Sequence, residues 1–309
     1  MLSFFNRFKR TTDRQQTYKP VILVTGCGSG VGLALSKFLY QIESYRVVIT
    51  ARPHSLEFLQ KTFKESDRFL IRALDITSEA NRSAVVAEVF KKWGAINILV
   101  NNAGISYRSV VEHMTEADEF RQMSTNYLGP VGLIRAVLPH MRNRGRGKII
   151  NVSSVSGMLA MPTMASYSAS KYALEGMSEA LWYEARPLGI SVSLVQPGFI
   201  NSESFRKVNY SEFSAPDART GPYVDYYEKM EPFIERLMHK SITTPESIAR
   251  LIVKLIRTEN PPLWVPATLD AFVFYYLRRL VPRRILLPIL FWALPGARRW
   301  AADYSQKRQ

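Results

Sequence analysis

The stretch Val21-Ile22-Leu23-Val24-Thr25-Gly26-Cys27-Gly28-Ser29-Gly30-Val31-Gly32 decides how the rest of the chain is read. Its first four residues are apolar and mostly β-branched, the mark of a strand buried on both faces. Between residues 31 and 40 the apolar positions return at helical spacing. Glycines fill the turn between the two because a tight turn needs conformations that side chains resist, and because phosphate approaches backbone closely only where no Cβ intervenes. The helix start adds unpaired N–H groups and the positive end of its dipole. Strand, glycine turn and helix in this order place a nucleotide phosphate at the first crossover of an α/β sheet.

The alternation continues outward. Residues 46–50, 69–74, 96–100, 148–152 and 191–195 read as strands, with 263–265 as a further short one; 79–93, 116–141 and 168–185 carry helical spacing. Strands alternating with helices predict one α/β domain over residues 20–266, a doubly wound parallel sheet of about seven strands. Two segments break the rhythm. Residues 203–244 are polar and aromatic (Phe205, Tyr210, Phe213, Tyr223, Tyr226, Tyr227, Phe233). They follow the carboxyl end of the sixth strand, where such sheets bind ligands, and so read as a substrate lid. Residues 267–309 form a basic, apolar extension, and residues 1–19 a basic one at the other end.

Charge is unevenly placed. The chain of 309 residues carries a formal +15, with five bases against one acid in residues 1–19 and eight against two in residues 267–309. A nucleic-acid enzyme would gather its charge around the working site, so that class is set aside. In the tail, apolar blocks at 269–277 and 285–294 enclose Arg278-Arg279 and Arg283-Arg284. Each is too short to cross a bilayer, but apolar side chains beside arginines suit a segment lying on an anionic membrane surface. Phe4 and Phe5 with Arg7, Lys9 and Arg10 form a second such cluster. The alternative for the tail is a helix docked on the domain itself or on a partner subunit. The opening residues are too short an apolar run for a secretory signal. One cysteine, Cys27, forms no internal disulfide, and no cysteine/histidine group has metal spacing. A cytoplasmic protein, peripheral on a membrane, is expected.

The spacing Gly26-x-x-x-Gly30-x-Gly32, with Asn101-Asn102-Ala103-Gly104 after the fourth strand, resembles the short-chain dehydrogenase/reductase family, whose fold is of Rossmann type. The resemblance covers residues 20–266 and implies a nicotinamide dinucleotide held by Thr25, Gly26, Ser29, Gly30, Val31 and Gly32. Asp75 and Ile76 match its positions beside the adenine, and Asn102, Ala103 and Gly104 the wall beside the adenosine. Pro197, Gly198, Ile200 and Ser202 match the turn that meets the nicotinamide amide, Ser202 replacing a usual threonine. At the end of the second strand Thr50-Ala51-Arg52 offers no acid. A carboxylate there would accept from a ribose 2′-hydroxyl, whereas Arg52 pairs with a 2′-phosphate, so NADP(H) is expected over NAD(H). The other reading of Arg52 is a solvated surface residue.

Tyr167 and Lys171 are one helical turn apart and face the same way. A phenol with pKa near 10 exchanges protons poorly at neutral pH, and a nearby ammonium favours the phenolate. Tyr167 is thus the expected acid/base, and Ser154, thirteen residues earlier, the expected donor to the substrate oxygen. Taken singly these are common surface or strand-end residues; their order and spacing carry the reading. Family resemblance adds Asn126, as holder of a water that relays protons to Lys171, and gives Lys171 the nicotinamide ribose. It also implies homodimers or homotetramers. The glycine stretch resembles the retinol dehydrogenase and 17β-hydroxysteroid dehydrogenase branch. The expected function is therefore interconversion of a hydroxyl and a carbonyl on a lipophilic substrate such as a retinoid, steroid or long-chain lipid. A 3-ketoacyl or ketosphinganine-type reductase is an alternative within that class, and a non-catalytic cofactor-sensing membrane adaptor an alternative outside it.

Overall fold

The computed structural model describes residues 18–202 and 208–300; Phe4, Phe5, Arg7, Lys9, Arg10, Phe205, Lys307 and Arg308 lie outside the described residues. Seven strands, β1 (Val21–Val24), β2 (Arg46–Ala51), β3 (Phe69–Ala73), β4 (Ile98–Asn101), β5 (Gly147–Val152), β6 (Ile190–Gln196) and β7 (Trp264–Pro266), form one sheet in the order 3-2-1-4-5-6-7. Every neighbouring pair is parallel. The order reverses between β1 and β4, so the loops leaving their carboxyl ends diverge and open a crevice there.

Period-two alternation sends each strand into two cores. Ile22 and Val24 of β1 join α1 (Gly30–Gln41), α2 (Leu56–Thr62) and α8 (Pro245–Arg257) on one face. Val21 and Leu23 join α3 (Glu79–Trp93), α5 (Gly129–Asn143) and α6 (Ala165–Ala185) on the other. Each fully buried leucine, Leu35 and Leu39 among them, contributes roughly 1.5–3 kcal/mol of burial. The short α2 and the whole of α8 carry signals the strand-and-helix pattern passed over. For α8 the signal is a capping box between Thr244 and Ser247, with proline in the first turn.

Three stretches differ from the expected pattern. The helix expected over residues 116–141 is α4 (Glu116–Met123) and α5 joined by a π-helical turn at Ser124–Leu128. Such a turn widens the hydrogen-bond ring, and it is frequent at functional sites. The segment expected to be a lid contains α7 (Val224–Lys240), which buries Tyr227, Met230, Ile234 and Met238 at helical spacing. The tail forms α9 (Leu269–Leu280) and α10 (Arg283–Ala293). Ala271 of α9, with Phe274 and Tyr275, packs on Val155 and Met158. Leu294 and Trp300, after α10, pack on Met230, Ile234 and Met238 of α7. The opposite faces expose Phe272, Leu280, Leu287, Ile289, Phe291 and Trp292. Among the described residues no helix is long and apolar enough to cross a membrane.

Candidate active site

The glycine turn after β1 is shaped by close approaches. Gly26 has φ +72°, and a Cβ there would lie 2.6 Å from the Ala103 backbone; a Cβ on Gly32 would collide with the Gly26 carbonyl. Thr25 and Asn102 lock this turn to the one after β4. The Thr25 hydroxyl accepts from the N–H groups of Asn102 and Ala103, both at 3.1 Å. The Asn102 amide donates to the carbonyls of Thr25 and Gly26, both at 3.0 Å. At the head of α1, Ser29 occupies the capping position without a side-chain cap, and no acid sits in the first turn. A helix N-terminus left this way, beside a cradle too tight for Cβ atoms, fits a pyrophosphate. Val31 and Gly32 are buried behind it.

Around this cradle, Arg52 is exposed at the end of β2. The Asp75 carboxylate caps its own turn, accepting from the Thr77 N–H and hydroxyl at 2.9 and 2.7 Å, and Ile76 is buried. Cys27 is fully buried, and burial pushes its thiol up to about 11, so it takes no part in chemistry at neutral pH.

Helix α6 brings Tyr167 and Lys171 to the end of β5. The Tyr167 phenol has the Ser154 side chain as its polar neighbour, and the Lys171 ammonium lies 5.8 Å from the Tyr167 ring centre and donates to the Val152 carbonyl at 2.9 Å. Burial holds Lys171 down at about 8, against the opposing charge of Glu175. Burial likewise raises Tyr167, and the neighbouring Ser154 side chain only partly offsets it. The expected depression of the phenol by the lysine is therefore not produced by the protein alone. The π-helical turn puts Asn126 against the loop after β4. Its oxygen accepts from the Ile105 N–H at 2.9 Å, and its amide donates to the Ile105 carbonyl and the Ser170 hydroxyl at 2.9 and 3.0 Å. Gly104 sits between Asn126 and Lys171: a Cβ there would be 3.3 Å from the Asn126 oxygen and 3.8 Å from the Lys171 nitrogen.

After β6, Pro197, Gly198, Phe199 and Ile200 form a turn fixed partly from the tail. The Gly198 N–H donates to the Thr268 hydroxyl and the Phe199 N–H to the Asp270 carboxylate, both at 2.9 Å. The Pro197 carbonyl accepts from the Val155 N–H at 2.7 Å, tying this turn to the loop that carries Ser154, and Ile200 is fully buried. Ser202 is likewise engaged with a neighbour. The sequence signal for Asp270 is the pattern Thr268-Leu269-Asp270 at a helix start.

Glu175 was also not singled out. It lies one turn beyond Lys171 and is 5% exposed; its Oε1 accepts from the Ser153 hydroxyl at 2.7 Å and the Gln196 amide at 2.9 Å. Ser153 precedes Ser154 and Gln196 precedes Pro197, so one carboxylate ties three active-site segments together. Its signal was the continuing stripe of Tyr167, Lys171 and Glu175 on one helix face.

The family model for short chain dehydrogenases matches residues 20–212. A 3-ketodihydrosphingosine reductase of Bacteroides thetaiotaomicron is 35% identical over 242 residues, covering 78% of this chain and 85% of that protein. Retinol dehydrogenase 8 of Bos taurus is 32% identical over 251 residues, covering 78% and 79%. Among solved structures, a short-chain dehydrogenase from Streptomyces avermitilis superposes with TM-score 0.72 at 33% identity, over 84% of this chain and 92% of that one. ElxO with NADP bound gives TM-score 0.64 at 25% identity, over 80% and 96%. A Burkholderia phymatum structure in complex with NAD shares the fold, with TM-score 0.69 at 20% identity, over 84% and 93%.

Proposed function

This chain belongs to the short-chain dehydrogenase/reductase family and is an oxidoreductase of the CH–OH group with a nicotinamide cofactor; we propose that it uses NADP(H) to interconvert a hydroxyl and a carbonyl on a lipophilic substrate, working at an anionic membrane surface. The observation that carries the chemistry is the arrangement of half-buried Ser154 and Tyr167 with buried Lys171 at the end of β5. Gly26, Gly30 and Gly32 would hold the cofactor, which would supply or accept the hydride. In reduction, Ser154 donates a hydrogen bond to the substrate carbonyl and Tyr167 gives that oxygen its proton. In oxidation Tyr167 takes the proton back, and the Lys171 ammonium would favour the phenolate only together with the positive nicotinamide of the oxidised cofactor. Asn126 orders the path by which protons reach Lys171.

Arg52 at the end of β2, with no carboxylate beside it in sequence, supports the 2′-phosphate. The wall around the site supports a lipophilic substrate. Met161, Met164 and Phe199, on the segments flanking Tyr167 and the Pro197 turn, pack on Met230, Ile234 and Met238 of the lid helix. Unbranched thioethers adapt to varied apolar shapes. The exposed apolar faces of α9 and α10, beside Arg278, Arg279, Arg283 and Arg284, match an anionic bilayer in charge and run next to that lid. Incubating the protein with retinoid, steroid and long-chain carbonyl compounds in anionic vesicles, and following NADPH absorbance, tests the reading. Turnover of at least one class with NADPH preferred over NADH is the expected result; no turnover of any class despite NADPH binding would sink it.

A further inference from the structure

Beneath the lid lies a buried cation without a counter-ion. Residues 105–109 run from Asn126, which holds Ile105, to the start of α6. On the way Tyr107 pairs with Asn209 of the lid region, and Ser109 pairs with Met164, three residues before Tyr167. The Arg108 N–H donates to the Asn209 carbonyl at 2.9 Å and the Ser109 N–H to the Thr163 carbonyl at 2.8 Å. In a locally extended segment alternate residues share a face, so Ser106 and Arg108 lie opposite Tyr107, whose hydroxyl donates to Asp118 at 2.8 Å.

Arg108 is 3% exposed, its Nε has no hydrogen-bond partner, and it forms no ion pair among the described residues. The neighbouring Arg219 is already paired with Glu231 at 2.6 Å, and Tyr210 lies within the field of both arginines. One positive charge is therefore left over under the lid. Ser106 Oγ and Thr163 Oγ1 are buried without partners as well. Thr163 has φ +63°, the one positive φ outside glycine among the described residues. For a β-branched residue that is a strained conformation, of the kind retained at ligand sites. Buried polar groups are ordinarily paired, and a buried guanidinium most of all.

We propose that Arg108, with Ser106 and Thr163, forms a subsite for an oxyanion carried by the substrate, a carboxylate or phosphate on the same molecule whose carbonyl meets Tyr167. The proposal rests on the oxidoreductase reading above and narrows it, from a lipophilic carbonyl compound to an acidic amphiphile. A lipid bearing an ammonium group would bring like charges together there.

The test compares 4-oxodecanoate with its methyl ester as substrates of the NADPH-loaded enzyme, in the wild type and in Arg108→Gln. Wild type is expected to favour the acid by about tenfold or more in kcat/KM, the usual weight of a charge-assisted bond, and Arg108→Gln to erase that preference. Equal turnover of acid and ester by the wild type, or equal loss of both in the variant, would overturn the proposal. Should Arg108→Gln fail to fold, competition on the wild type gives the same answer. Decanoate must inhibit ester reduction at least about tenfold more strongly than decanol; equal inhibition refutes the subsite. If no carbonyl compound turns over, the reaction assignment fails, yet the subsite is still read from tryptophan fluorescence of the NADP-loaded protein. Decanoate should then bind more tightly than both decanol and inorganic phosphate. Decanol binding as tightly refutes the anion site, and phosphate binding as tightly assigns it to a free anion instead of a substrate.

Discussion

Replacing Glu175 with alanine perturbs three parts of the active site through one side chain. Glu175 Oε1 is the acceptor for both the Ser153 hydroxyl and the Gln196 amide, at 2.7 and 2.9 Å. Gln196 already leaves its own oxygen unpaired. An unmade buried hydrogen bond costs roughly 1–3 kcal/mol, and the two losses share one cavity, so Glu175→Ala should lower stability by about 3 kcal/mol. Urea unfolding, read at unchanged m, measures this. Glu175→Gln keeps an acceptor oxygen and should cost well under half as much, but it removes a charge. Burial holds Lys171 down at about 8 while the Glu175 carboxylate opposes that fall. Without the carboxylate Lys171 drops further, so its ammonium is lost at lower pH. The alkaline limb of kcat/KM for reduction, near pH 8 in the wild type, should then move down by roughly half a unit to one unit. An alanine variant within about 1 kcal/mol of wild type, together with a superimposable pH profile for glutamine, would refute the reasoning.

Arg52→Glu should raise KM for NADPH by at least about tenfold while sparing NADH, since it sets a carboxylate where the 2′-phosphate is expected; steady-state kinetics with both cofactors checks it. Asp270→Ala leaves the Phe199 N–H without its acceptor and should raise KM for NADPH severalfold, with a loss of about 1–2 kcal/mol by urea unfolding. An unchanged KM would mean the turn needs no support from the tail. Changing Phe272, Ile289 and Trp292 together to serine should weaken co-sedimentation with anionic vesicles by about tenfold or more. Added salt should weaken the wild type's own binding.

The sheet was legible because parallel strands buried on both faces appear as unbroken apolar runs, as in Val21–Val24 and residues 47–49 of β2. The phosphate turn was legible for a different reason: Gly26 and Gly32 meet backbone that admits no Cβ, and only glycine writes that constraint into sequence. Asn126 could be named by resemblance, but the π-helical turn that presents it leaves the apolar spacing of residues 116–141 intact. The lid helix α7 was hidden because its buried stripe, Tyr227, Met230, Ile234 and Met238, is set among other aromatics and interrupted by Pro232. Glu175 and Asp270 escaped notice because a charged residue reads as solvated until its partners are known, and theirs lie 21 and 71 residues away. The tail was read as a membrane-lying segment, with a helix docked on the domain or on a partner subunit as the alternative. Its first helical turn holds the Pro197 turn, while Phe272, Ile289 and Trp292 on α9 and α10 are exposed.

In the proposed mechanism Tyr167 moves the proton while the glycine cradle holds the cofactor independently of it. Tyr167→Phe tests both halves when NADPH oxidation is followed with a carbonyl substrate and NADPH affinity is measured by fluorescence on the same preparation. The expected result is a fall in kcat of about a thousandfold, with the dissociation constant for NADPH within about threefold of wild type. A variant that keeps more than about a tenth of the activity, or that loses cofactor affinity in step with rate, would contradict the account.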